Sequence, residues 1–134
     1  MPIKLTLRPP DTKNVAKVVI IDDQNRVLLL KRKLDQKHPG KWDLPGGHLI
    51  QGEGWKEAAK REVKEETNLS VENLEKISYK GRKRFYKTST FEGEIYDSDK
   101  LPEHDKLMWI NVEKIDELNQ IGNIYVEAIK GAVA

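Results

Sequence analysis

The chain of 134 residues has the length of one compact domain, enough to bury a core and fold without cross-links. Its 24 basic and 22 acidic residues leave a formal charge of +2, too balanced for a nucleic-acid scaffold recognised by net charge alone. The absence of cysteine excludes disulfides, thiolate metal sites and cysteine nucleophiles, so any metal must be held by oxygen or imidazole. The N-terminus, Met1 to Pro10, is broken by charge and proline, and no apolar run approaches membrane-spanning length. The expectation is a soluble cytoplasmic protein with no membrane partner, forming a single domain over 1–134.

Val15 to Ile21 and Arg26 to Lys31 are aliphatic runs separated by Asp22-Asp23-Gln24-Asn25, and they predict a hairpin of two central, buried strands. A polar loop from Lys33 to Lys41 leads to a short strand, Trp42 to Pro45, which Gly46-Gly47 is expected to break into a tight loop. Gly54 to Thr67 predicts a helix: Gly54 serves as N-cap, Glu57 falls at N3, and Asn68 can take the left-handed conformation that ends it. Strand-compatible segments run from Ile77 to Ile95, interrupted by Gly81 and Gly93. Leu107 to Val112 predicts another strand, and Lys114 to Leu118 and Ile124 to Ala128 predict helical turns. Mixed strands, one well-marked central helix and a terminal helix indicate an α/β sandwich.

The chemistry concentrates between Gly47 and Leu69. At roughly 100° per helical residue, Glu62, Glu65 and Glu66 fall within an arc of about 100°. Like charges so close repel unless something positive sits among them, and a hard divalent cation is one natural answer. Glu53, just ahead of the helix, can reach Arg61 two turns on and lock the loop to it. Gly46 and Gly47 let the backbone approach the acids, offering a carbonyl to a metal or an amide to a phosphate. Taken alone, the three glutamates are as simply read as the solvated face of an amphipathic helix.

The whole pattern weighs against that plainer reading. It resembles the Nudix box: Gly, five residues, Glu, seven residues, Arg-Glu, an aliphatic, any residue, Glu-Glu, any residue, Gly, an aliphatic. Gly47, Glu53, Arg61, Glu62, Glu65 and Glu66 match, and Asn68 replaces the final glycine. By chance these fixed positions would recur on the order of once in ten million windows. Lys41 to Gly47 and Trp109-Ile110-Asn111-Val112 also resemble the family's strands before and after the box.

The resemblance implies a Nudix-type α/β/α sandwich with a mixed central sheet and the box as loop-helix-loop. It implies Mg2+, with Mn2+ as substitute, bound by Glu62, Glu65 and Glu66, with the Gly46 carbonyl and Glu103 as further ligands. Glu53 would orient the site through Arg61. The implied reaction is hydrolysis of a diphosphate bond in a nucleoside diphosphate linked to another moiety, with Glu62 as preferred base and Glu65 or Glu103 as rivals. The implied partners are a small nucleotide and, through a homodimer, a second copy. A non-catalytic nucleotide-binding module and an RNA 5′-end pyrophosphohydrolase remain the alternatives.

Substrate selection must lie outside the box. Arg82-Lys83-Arg84 with Tyr86 is the densest basic cluster and could grip phosphates and stack a base, although lysines guarding a strand edge look the same. Arg32, after a central strand, is a similar candidate. Tyr86 also falls where relatives that cleave diadenosine polyphosphates carry a tyrosine. His38 and His48 read as exposed loop residues, and Trp42, Trp55 and Trp109 as packing.

Overall fold

A computed structural model describes residues 10–33, 40–96 and 104–134. Its elements in chain order are β1 (Pro10–Ile20), β2 (Arg26–Arg32), β3 (Trp42–Asp43), β4 (Gly46–Ile50), α1 (Trp55–Thr67), β5 (Ser70–Glu72), β6 (Glu75–Lys80), β7 (Lys83–Thr88), β8 (Thr90–Glu92), β9 (His104–Asn111), a 3-10 helix (Val112–Glu117) and α2 (Asn123–Val133).

A mixed four-stranded sheet runs β4-β1-β7-β6, with β1 parallel to β7 and antiparallel to β4. A second sheet runs β3-β2-β9, and β5 pairs β8 in a small ribbon. β1 and β2 are central, as the aliphatic runs predict, but they do not form an extended hairpin. A single bridge, Ile21 to Val27, joins them before each enters its own sheet. The Asp22 carboxylate organises the turn by accepting the Gln24 and Arg26 amides at 3.0 and 2.8 Å, and Asn25 takes φ 60°. Such Asx geometry is what asparagine and aspartate supply in tight turns.

Alternation along the strands builds two cores. Ala16, Val18 and Ile20 of β1, Leu28 of β2 and Tyr86 of β7 pack with Ala58, Ala59 and Val63 of α1. Their neighbours Val19, Val27, Leu29 and Phe85 pack with Ala128, Ile129 and Ala132 of α2. Period-two side-chain direction thus sends adjacent residues to opposite faces, and each face is covered by one helix. This is the expected α/β architecture.

Several boundaries differ from the sequence expectation. Gly46-Gly47 does not end in a loop but opens β4, paired to Lys17 and Ala16 of β1. The strand absorbs them because a Cβ on Gly46, at φ 133°, would lie 2.0 Å from the Ala16 carbonyl oxygen. Val112 leaves β9 for the 3-10 helix, where the Asn111 side chain accepts the Glu113 amide at 2.8 Å and caps the turn. β5 escapes the hydrophobic pattern because only Val71 of its three residues is buried.

Candidate active site

α1 begins as its sequence predicts. Gly54 is the extended N-cap, and Glu57 Oε1 accepts the Gly54 amide at 3.2 Å. At the other end Asn68 adopts φ 74° and donates its amide to the Lys64 carbonyl at 3.0 Å. The residue that departs from the box therefore performs the left-handed cap expected of the glycine it replaces.

The loop before α1 is fastened to the helix by Arg61. Its guanidinium grips Glu53 at both oxygens, Nε to Oε2 at 2.7 Å and Nη2 to Oε1 at 2.9 Å. Nη1 donates to Glu62 Oε1 at 2.7 Å and more weakly to Glu65 Oε2 at 3.4 Å, and Nη2 also reaches the His48 carbonyl at 3.1 Å. Glu53 in turn accepts the Ile50 amide at 3.1 Å. The Glu53 side chain is only 7% exposed and Arg61 only 22%, so solvent screens this fork less than a surface pair. Hydrogen bonding to Glu53 first, and then to Glu62, holds Arg61 more firmly protonated than usual against the opposing effect of burial.

The three acids fan from solvent into the core. The Glu65 side chain is 38% exposed, Glu62 14%, and Glu66 is half-buried at the sheet. Glu62 lies against Gly47, where a Cβ would come within 2.6 Å of its Oε2. Glu66 Oε1 accepts the Gly46 amide at 2.8 Å. Burial pushes the Glu66 carboxyl up to about 8, with Glu62 and Asp43 adding to the rise while Lys17 and the Gly46 amide oppose it. Among the described residues no three acidic or histidine side chains form a ready-made metal cage. Much of the positive charge demanded by the acid cluster comes instead from Arg61 on the outer side and Lys17 on the inner. The donors are nonetheless all hard oxygens around a Gly47 cradle without a side chain, and that chemistry suits a divalent cation of the magnesium class.

Sequence reasoning missed Lys17. It is buried, and its Nζ lies 3.1 Å from Asp43 Oδ2, 3.1 Å from the Leu44 carbonyl and 3.4 Å from the Gly46 carbonyl. Burial pushes an ammonium down, but Asp43 and then Glu66 outweigh it, so Lys17 is held above its ordinary value. The available signal was one cation inside the aliphatic run Val15 to Ile21. Arg32 Nη1 stands 3.5 Å from Asp43 Oδ2, so the candidate on β2 belongs to the same buried group.

The remaining candidates separate. Arg82 is exposed, and Arg84 lies over the Trp55 ring at 4.2 Å, against the first turn of α1. By helical rise, Trp55 stands about 10 to 17 Å from the level of the acids. Tyr86, expected to bind substrate, is only 2% exposed and packs in the core beneath α1; it cannot stack on a base. Its pattern failed because it belongs to a strand buried on both faces. His48 is exposed but sits on β4 rather than in a loop. Trp42 packs in the α2-side core and Trp109 stacks on Phe91 at 5.5 Å, both as expected. Glu103 and His38 lie outside the described residues.

Comparison with known proteins addresses the family and the fold. The family model described as the NUDIX domain matches residues 11–129. The chain belongs to the Nudix family. A putative 8-oxo-dGTP diphosphatase from Bacillus subtilis is 39% identical over 68 residues, covering 51% of this chain and 43% of that protein, less than half its length. An RNA pyrophosphohydrolase from Pelagibacter ubique is 30% identical over 129 residues, covering 79% of this chain and 80% of the relative. The crystal structure of a MutT NUDIX hydrolase from Burkholderia pseudomallei superposes with a TM-score of 0.76 at 24% identity, covering 91% of this chain and 98% of the other. The chain therefore has the MutT-type α/β fold of the Nudix hydrolases, a family that generally uses a divalent metal. Among the described residues, no helix is long and apolar enough to cross a membrane.

Proposed function

We propose that this Nudix hydrolase uses Mg2+, with Mn2+ as substitute, to cleave a small nucleoside triphosphate or related nucleoside diphosphate derivative in the cytoplasm. The observation that carries the reading is the Arg61 fork, which joins Glu53, Glu62 and the His48 carbonyl around the Gly46-Gly47 strand. A solvated acidic helix face has no use for so constrained a cation. Glu62, Glu65 and Glu66 would hold the metal, with the Gly46 carbonyl and Glu103 as further ligands. When bound, such an ion screens diphosphate oxygens and lowers the pKa of a water.

The protein's own contribution is orientation and proton acceptance. Arg61 restrains Glu62 at Oε1, so its carboxylate is presented in one direction beside Gly47. Glu62 is the preferred proton acceptor, with Glu65 and Glu103 as rivals. Glu53 acts through Arg61 and is an orienting residue. The Bacillus subtilis relative named for 8-oxo-dGTP supports a free nucleotide as substrate. Arg82 and Arg84 would bind its far end, and Arg32 would act from the Asp43 group.

The test is a panel of nucleoside triphosphates, oxidised nucleotides, nucleotide sugars, dinucleoside polyphosphates and 5′-triphosphate RNA, assayed with Mg2+ and both products weighed. Release of a nucleoside monophosphate and pyrophosphate from a free triphosphate is expected. Turnover confined to RNA ends, or none on any substrate, would overturn the reading.

A further inference from the structure

We propose that Lys17 is a positioning residue for the hydrolysis, fixing the Gly46 peptide from beneath while Glu66 fixes it from the helix side. The inference rests on the reading of the site given above. Lys17 belongs to β1, and its neighbours Ala16 and Val18 face α1 while its own side chain turns to the other face of the sheet. A lysine ammonium has three donors, and here Asp43, the Leu44 carbonyl and the Gly46 carbonyl stand around it at 3.1, 3.1 and 3.4 Å. The acceptors come from β3, the link after it and the first residue of β4. One buried cation thus ties together the segment that carries the main chain past the acid cluster.

The backbone reinforces this direction. Lys17 pairs with Gly46 in the β1–β4 register, and the Val18 amide donates to the Pro45 carbonyl at 2.9 Å. Gly46 has no room for adjustment toward β1, since its Cβ position is 2.0 Å from the Ala16 oxygen. Its carbonyl meets Lys17, and its amide meets Glu66 at 2.8 Å. A carbonyl oxygen has two lone pairs, so contact with Lys17 leaves capacity for a second partner while restricting the peptide's rotation. An aliphatic side chain would fill the same space without the desolvation cost of a buried ammonium. What the ammonium adds is three directed contacts spread over β3, the link after it and β4.

The experiment compares wild type, Lys17→Met and the charge-balanced Lys17→Met/Asp43→Asn in steady-state turnover, thermal unfolding and amide hydrogen exchange without metal. In both variants kcat should fall roughly 30- to 100-fold, with KM within about threefold of wild type. The double variant should recover thermal stability lost by the single one but not kcat, because removing the second charge relieves burial without restoring the contacts. Exchange protection should drop at the Gly46 and Val18 amides and stay unchanged along the β2–β9 ladder. Recovery of wild-type kcat by the double variant, retained protection at Gly46, or failure of both variants to fold would each overturn the proposal. If wild type hydrolyses no nucleotide, the proposed function fails while the exchange result still decides whether Lys17 fixes the Gly46 peptide.

Discussion

Replacing Arg61 with alanine removes the fork that joins loop, strand and helix. The lost contacts are the paired bonds to Glu53 at 2.7 and 2.9 Å, the bond to Glu62 at 2.7 Å, the longer one to Glu65 at 3.4 Å and that to the His48 carbonyl at 3.1 Å. Glu53, with its side chain 7% exposed, is left without its guanidinium partner. Breaking a buried pair typically costs about 3 to 5 kcal/mol. Because the Arg61 side chain retains 22% exposure, the lower end applies, about 3 kcal/mol. For a domain of this size that corresponds to a fall of about 10 °C in the unfolding midpoint. Calorimetry at neutral pH measures it directly. Arg61→Lys should recover less than about half, since an ammonium cannot make the paired contact. A cycle with Glu53→Gln should show coupling of at least about 1.5 kcal/mol. A midpoint lowered by less than about 2 °C in Arg61→Ala would refute the claim that the fork organises the site.

Metal-free protein should lose stability as pH rises from about 4.5 to about 8 through Glu66, whose carboxyl is raised to about 8 by burial and therefore binds more protons folded than unfolded. Glu66→Gln should flatten that slope, and unfolding midpoints across the range check it; an unchanged slope contradicts the assignment. Gly46→Ala should cost about 3 kcal/mol or more, because its Cβ meets backbone at 2.0 Å. Gly47→Ala should fold with reduced turnover, because its Cβ meets only the movable Glu62 side chain at 2.6 Å. Denaturant unfolding and activity distinguish the two. Tyr86→Ala should destabilise by about 3 to 5 kcal/mol, whereas Tyr86→Phe should leave KM unchanged, since the ring is in the core.

What was legible in the sequence is what local chemistry decides. Gly54, Glu57 and Asn68 marked the ends of α1 because caps depend on residues close in the chain. The Glu53 and Arg61 pairing could be read from helical spacing across one short loop. Lys17 and Tyr86 were not legible in this way. Their roles depend on which strands lie beside β1 and β7, and sheet order is set by contacts distant in sequence. The Lys17 group joins residues up to 29 positions apart. Gly46-Gly47 carried a turn signal, yet glycine is demanded there by close approach to β1 at Gly46 and to the Glu62 side chain at Gly47. Arg84 read as one cation of a basic cluster, but its stacking on Trp55, by the opposite end of α1 from the acids, depends on a contact between β7 and α1 that is distant in sequence.

The most direct measurement of the central claim is turnover of a nucleoside triphosphate in 18O-labelled water with Mg2+, comparing wild type with Glu66→Gln. The Gln variant preserves an acceptor for the Gly46 amide, so its fold should remain while its ability to hold a divalent ion is lost. Wild type should place one 18O in a phosphate-bearing product, and Glu66→Gln should fall below about 1% of that rate with its unfolding transition intact. Full activity in a folded Glu66→Gln protein, or products without the label, would contradict hydrolysis at the carboxylates of α1.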